Sequence, residues 1–276
     1  MEQLTLEEID AVAAAIRARS KIRPKVGMIL GSGLGPLAEA ASKVDVLAAE
    51  DIPGWPLSTV QGHAGRLVLG ELEGQPVFIQ QGRVHYYEGY PMERIGLPVR
   101  VMQRLGVEIL IVTNAAGAVN PGFQPGDLML ITDHINLIGM AGLTPLRGPN
   151  LDAFGPRFPD MSQAYDRGLL ELARLAATEA SLRVHQGIYI CLAGPTFETP
   201  ADLRFLRGVG VDAVGMSTVP EVTVARHGGL RVLGISGISN MANLDGNTPT
   251  SHEEVLAAGQ LILPNLTALI RGVLRR

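Results

Sequence analysis

Short runs of consecutive apolar residues alternate along this chain with stretches whose apolar positions recur every three or four residues. Leu6, Ile9, Val12 and Ile16 keep the helical period. Thr5, with Glu8 three positions on, makes a capping box ahead of them, so a first helix is expected over 5–19. The run 25–30 reads as a buried strand leading into a glycine-rich turn. Strands 67–70 and 77–80, with Gly74 and Gln75 between them, read as a hairpin. A helix over 92–105 should stop at Gly106, followed by a buried strand at 109–112. Further strands are expected at 128–131, 187–192 and 230–236, and further helices at 164–180, 200–207, 219–227 and 252–274. Strands alternating with helices to the end predict an α/β fold with a parallel or mixed sheet covered on both faces. There is no repeat and no linker, so one domain over 1–276 is the expectation. Two stretches resist assignment: 139–163, rich in Gly and Pro, and 241–251, rich in Asn, Thr and Gly, whose composition would permit a lid.

Composition and charge add to that picture. Apolar residues make up 46% and charged residues 18% of 276 residues, which supports a sizeable core. A net charge of −4 offers no basic field for a nucleic acid, although a few local donors can still hold one small anion. The single cysteine, Cys191, excludes an internal disulfide and suits a reducing compartment. The acidic start has no secretory pattern, and no uninterrupted apolar run reaches membrane-spanning length. A cytoplasmic protein with no membrane partner is expected.

Candidate chemistry sits where strands meet loops, as expected of open α/β sheets. The turn Gly31–Gly35 follows a strand, and its backbone N–H groups with the Ser32 hydroxyl could cradle a phosphate, or the turn could be structural. Pro36 breaks the dinucleotide fingerprint, and there is no Walker lysine. Arg83 and His85 share one side of an extended segment and suit a phosphate; the alternative is a surface pair of Arg83 with Glu88. His63 is ambiguous in the same way. Glu198, beside Phe197 at a helix start, is either a solvated carboxylate or an acceptor for a ring N–H. Glu221, after Pro220 at a helix start, reads as a capping residue. His252 follows the N-cap Ser251, but Leu256 stands where a zinc-binding helix needs its second histidine, so no metal is expected. Ser217 lacks the second glycine of a nucleophile elbow, which disfavours a serine hydrolase.

Seven blocks in order carry a family resemblance: Gly31–Gly35, Gln81–Tyr90, Val112–Gly117, Asp133–Asn136, Ala193–Glu198, Gly215–Glu221 and His252–Gly259. Together they resemble the trimeric-type purine nucleoside phosphorylases over nearly everything from Val26 to Gly259. The resemblance implies a mixed, partly barrel-like β-sheet flanked by helices, in a homotrimer. It implies reversible phosphorolysis of purine (deoxy)nucleosides to base and pentose 1-phosphate, with phosphate as co-substrate and no cofactor. Phosphate would be held by Ser32, His63, Arg83, His85, the Ala115 N–H and Ser217. The sugar would meet Tyr87, Met216, His252 and, from a neighbouring subunit, Phe158. The purine would lie among Ala116, Phe197, Glu198, Val214 and Asn240, with Asn240, Glu198 and His85 as the catalytic groups. An amide at Asn240 implies 6-oxopurines, inosine and guanosine, over adenosine. The alternative is methylthioadenosine phosphorylase, a relative that typically has an acid at the Asn240 position and an apolar residue at the His252 position.

Overall fold

The computed structural model describes residues 4–247 and 250–276. The capping box forms as expected at the start of α1 (Leu6–Arg17): the Glu8 N–H donates to the Thr5 hydroxyl, and the Thr5 N–H to the Glu8 carboxylate. Ile9, Val12 and Ile16 are buried on one face of this helix. There follow β1 (Val26–Leu30), β2 (Ser42–Ala48), β3 (Arg66–Leu72), β4 (Gln75–Gln81), α2 (Met92–Leu105), β5 (Ile109–Ala118), β6 (Leu128–Ile135) and α3 (Leu137–Met140). The chain continues with α4 (Arg167–Glu179), β7 (Val184–Cys191), α5 (Pro200–Gly208), β8 (Ala213–Gly215), α6 (Val219–His227), β9 (Arg231–Met241) and α7 (His252–Leu274). Helix α2 ends at Gly106 in the left-handed region, φ 102°, which a glycine adopts without the penalty a Cβ would bring.

Among the described residues the nine strands are ordered β2-β3-β4-β1-β5-β8-β7-β6-β9, and β9 returns to pair with β5. That last pairing closes β5, β8, β7, β6 and β9 into a ring, while β1, β4, β3 and β2 extend from it as an open wing. The sheet is mixed, because β1–β4, β1–β5, β5–β9, β6–β7 and β7–β8 are parallel and the other pairs antiparallel. A mixed, partly barrel-like sheet in an α/β fold is therefore what the chain builds. One core packs α1, α2 and α6 against the sheet, and a second packs α4 and α7 on the opposite side.

The departures from expectation have local causes. Strand β2 is an exposed edge that pairs only with β3, and β8 has three residues, too few to display a period. Helix α4 begins three residues later than expected because Asp166 caps it, accepting from the Leu169 N–H. Strands β5, β6 and β9 run four to six residues past their apolar runs, through positions that include Thr, Asn, Ser and Gly. Helix α7, 23 residues long with a mean hydropathy of 1.3 in its most apolar window, is long and apolar enough to cross a membrane by length and composition alone. Here it lays Ile262, Leu266, Leu269 and Ile270 fully buried on the sheet.

Candidate active site

Strands β1, β4, β5 and β9 run parallel, so their carboxyl ends open on one edge of the sheet, where α/β folds place their ligands. The loops after β7 and β8 and the start of α7 reach the same edge. They enclose a cavity of about 310 Å³ whose walls include Ser32, Arg83, His85, Ala115, Ser217, Tyr87, Met216, His252, Phe197, Glu198, Val214 and Asn240. The glycine-rich turn reaches it because Gly33, at φ 74°, lies against Gly259 of α7; a Cβ on Gly33 would meet the Gly259 Cα at 3.2 Å. The turn then enters a 3-10 helix, Gly35–Ala40.

Arg83 is 4% exposed and its Nε lies 2.8 Å from Glu221 Oε1, a buried ion pair. One guanidinium nitrogen approaches the Ser217 hydroxyl at 3.4 Å and another the Ile29 carbonyl at 3.4 Å. Glu221 is thus a charge partner rather than the cap expected of it. Ser217 is turned toward Arg83 by a tight bend in which the Val219 N–H donates to the Ser217 carbonyl. Thr218 takes φ 76° and ψ −53° at its apex, a strained conformation for a residue with a Cβ. The bend is held from below, since Asn114 Nδ2 donates to the Thr218 hydroxyl at 2.9 Å.

Three rings stack beside the guanidinium: His63 on His85 at 5.2 Å and His85 on Tyr87 at 4.7 Å between centroids. Glu88 does not pair with Arg83. It accepts from the His85 N–H and Nδ1, from the Thr59 N–H and hydroxyl, and from the Ser58 hydroxyl. Those donors hold its carboxyl down at about 2 against the cost of burial. Burial, with His85 and Arg83 nearby, lowers His63 to about 4, and burial beside Glu88 raises the Tyr87 phenol to about 12.

On the other wall, the β5–β9 register slips between Ala116 and Gly117. A bulge of this kind re-aims side chains, and here the consecutive residues Ser239 and Asn240 both line the cavity. The Ser239 hydroxyl lies 2.7 Å from Asn240 Oδ1 and 3.2 Å from the Ala116 carbonyl, and Asn240 Nδ2 donates to the Met241 carbonyl. Burial pushes the Glu198 carboxyl above its ordinary value. His252 Nε2 donates to the Gln61 carbonyl, tying α7 to the loop that carries His63.

Three expected residues lie outside the cavity wall. Ala116 is buried in the core, while its strand neighbours Asn114, Ala115 and Gly117 line the cavity. His63 stands behind Ser32, its Nε2 3.1 Å from the Ser32 hydroxyl. Phe158 is 87% exposed on the surface, with the Arg157 guanidinium 5.9 Å from its ring centre. The suggested lid, 241–251, includes residues 248 and 249, which lie outside the described residues. Sequence reasoning cast Glu221 as a cap and Glu88 as an alternative partner of Arg83, and gave no place in the site to Asn114, Gly117 or Ser239. A lone acid inside the apolar run Val219–Val224 was the signal for Glu221, since such a carboxylate needs a partner when the helix is buried.

Residues 25–275 match the phosphorylase superfamily. The chain is 53% identical over 267 residues to purine nucleoside phosphorylase 1 of Bacillus subtilis, covering 97% of each. It is 50% identical over 272 residues to the purine nucleoside phosphorylase of Rattus norvegicus, covering 97% of this chain and 94% of that one. Among solved structures, Schistosoma mansoni purine nucleoside phosphorylase in complex with adenosine superposes with a TM-score of 0.95 at 42% identity, over 100% and 99% of the two chains. The complex of the enzyme from that organism with inosine gives 0.95 at 40% identity, over 100% and 98%.

Proposed function

The chain belongs to the phosphorylase superfamily, among its purine nucleoside phosphorylases, and from that premise we propose how its cavity carries out phosphorolysis. Phosphate attacks C1′ of a purine nucleoside, the glycosidic bond breaks, and free base and pentose 1-phosphate leave. The observation that carries this reading is that Arg83 and Glu198, an anion ligand and a base-edge acceptor, line one cavity of about 310 Å³.

Arg83, His85, Ser217 and the Ala115 N–H hold phosphate below C1′, where its negative charge offsets the positive charge growing on the sugar. Ser32 and, behind it, His63 complete that cradle. Tyr87, Met216 and His252 border the sugar. Phe197 and Val214 pack the purine faces, Glu198 accepts from N1–H, and Asn240 bonds around N7 and O6 as negative charge develops on the leaving base. Donors aimed at charge that exists only in the transition state contribute about 3–4 kcal/mol each. Holding both reactants in one site removes up to roughly 7–11 kcal/mol more of the barrier. The reaction needs no cofactor and no covalent enzyme intermediate.

Asn240 can accept from a protonated N7 and donate to a 6-oxo group, which favours inosine and guanosine over adenosine. With His252 placed for a 5′-hydroxyl, the site suits these nucleosides better than methylthioadenosine. Phe158, an exposed phenyl ring, fits a homotrimer in which it closes the sugar side of a neighbouring site. One buried free cysteine, Cys191, fits a reducing, cytoplasmic setting.

The test is to incubate the protein with inosine, adenosine and methylthioadenosine, each with and without phosphate. Phosphate-dependent hypoxanthine release from inosine, with slower turnover of the other two, is expected. Faster turnover of methylthioadenosine would overturn the assignment.

A further inference from the structure

We infer that Ser32 meets bound phosphate as a hydrogen-bond acceptor, so that the cradle selects an oxyanion still carrying a proton over one that has none. The inference rests on the phosphorylase reading above.

It follows from counting hydrogens. His63 Nδ1 lies 2.6 Å from the Arg83 carbonyl oxygen, which can only accept, so Nδ1 must carry a hydrogen. The Arg83 N–H is also directed at that nitrogen, from 3.1 Å, but the carbonyl oxygen, which cannot donate, stands closer at 2.6 Å and decides for a hydrogen on Nδ1. The Ser58 hydroxyl, 3.1 Å from Nδ1, agrees with this assignment, because its own hydrogen goes to Glu88 Oε2 at 3.2 Å and its oxygen is left to accept. Burial, with Arg83 nearby, lowers His63 to about 4 and so keeps it neutral near pH 7. A neutral ring with its hydrogen on Nδ1 has a bare Nε2, and the group facing that nitrogen is the Ser32 hydroxyl at 3.1 Å. The single hydrogen of Ser32 therefore points at His63, and only lone pairs remain to face the cavity.

Ser217 has the opposite polarity. It accepts from Arg83, and Thr218, which itself accepts from Asn114, has its hydroxyl hydrogen left for the Ser217 oxygen 3.3 Å away. The hydrogen of Ser217 is then free for the anion. His85 Nδ1 is held by Glu88 at 2.9 Å, which leaves Nε2 to face the cavity. Phosphate and arsenate keep a proton near neutral pH and can donate it to Ser32. Sulfate has none, and would place an oxygen lone pair against the Ser32 lone pairs. His63 is a positioning residue in this arrangement.

The experiment measures, by calorimetry at neutral pH without nucleoside, the affinities of phosphate, arsenate and sulfate for the whole protein and for Ser32→Ala. The wild type should prefer phosphate and arsenate to sulfate by about tenfold or more, the usual size of one hydrogen bond to a charged group. In Ser32→Ala the two protonated anions should weaken together by a similar factor while sulfate changes little, so the ratio collapses. Nitrogen-15 NMR of His63 in the wild type should show hydrogen on Nδ1 and a bare Nε2. Equal wild-type affinity for phosphate and sulfate, a ratio unchanged in Ser32→Ala, or hydrogen on Nε2 would each overturn the inference while leaving the phosphorylase reading intact. If none of the three anions binds the wild type, the phosphorylase reading fails, and the inference fails with it.

Discussion

Replacing Glu221 by Gln removes one charge from a pair that water scarcely reaches, since both side chains are 3% exposed. Arg83 then remains buried with its charge uncompensated. Breaking a buried pair from one side typically costs about 3–5 kcal/mol. Gln keeps the shape and one acceptor, so the lower end of that range applies. At roughly 2–4 °C per kcal/mol for a chain of this size class, the phosphate-free unfolding midpoint should fall by about 6–12 °C. Phosphate supplies the missing negative charge to the same guanidinium, so it should stabilise the variant more than it stabilises the wild type. The assay is thermal unfolding of both proteins, with and without saturating phosphate. An unchanged midpoint in the variant, or a smaller phosphate-induced rise than in the wild type, would refute the view that Glu221 balances Arg83 in the empty site.

Other outcomes follow from the same geometry. Burial raises Glu198, so the fold disfavours its carboxylate, and that stabilising balance is present below its unfolded value and lost as pH rises through the folded one. Glu198→Gln should therefore not lower the ligand-free unfolding midpoint at neutral pH, while kcat/KM for inosine drops by about 10²–10³; a stability loss without that drop would contradict the role. Asn240→Asp should shift preference toward adenosine, since a carboxylate cannot donate to a 6-oxo group; unchanged relative rates for inosine and adenosine would rule this out. His63 and His134 are both lowered from 6.5 to about 4, chiefly by burial. Their neutral forms favour the fold, so stability present above pH 6.5 should be lost as pH falls toward about 4, and a midpoint flat across that window would argue against it.

Strong periods and caps made most elements legible in the sequence. Helix α1 shows both its capping box and its apolar stripe, α6 and α7 start and stop at the expected residues, and Gly106 closes α2. What escaped was written in contacts between segments distant along the chain. The ring closes through β5 pairing with β9, more than a hundred residues apart, and β8 has only three residues to announce itself. The bulge that turns Asn240 inward is a register slip, and no single strand displays a register. The site residues were legible as types at strand ends, while their pairings were not. Arg83 could have paired with Glu88 five residues away; instead it found Glu221 across the fold, and Glu88 went to His85. Ala116 lies in the core between Ala115 and Gly117 on the wall, a difference of one residue that the sequence block Val112–Gly117 does not display.

The central claim is that phosphate, held by Arg83 and its neighbours, itself forms the new bond to C1′. Turnover of inosine with phosphate carrying heavy oxygen at every position, followed by mass spectrometry of the sugar product, tests it most directly. The account predicts ribose 1-phosphate retaining all the labelled oxygens, the bridging one included. Free ribose with solvent oxygen at C1, or an unlabelled bridge, would contradict it.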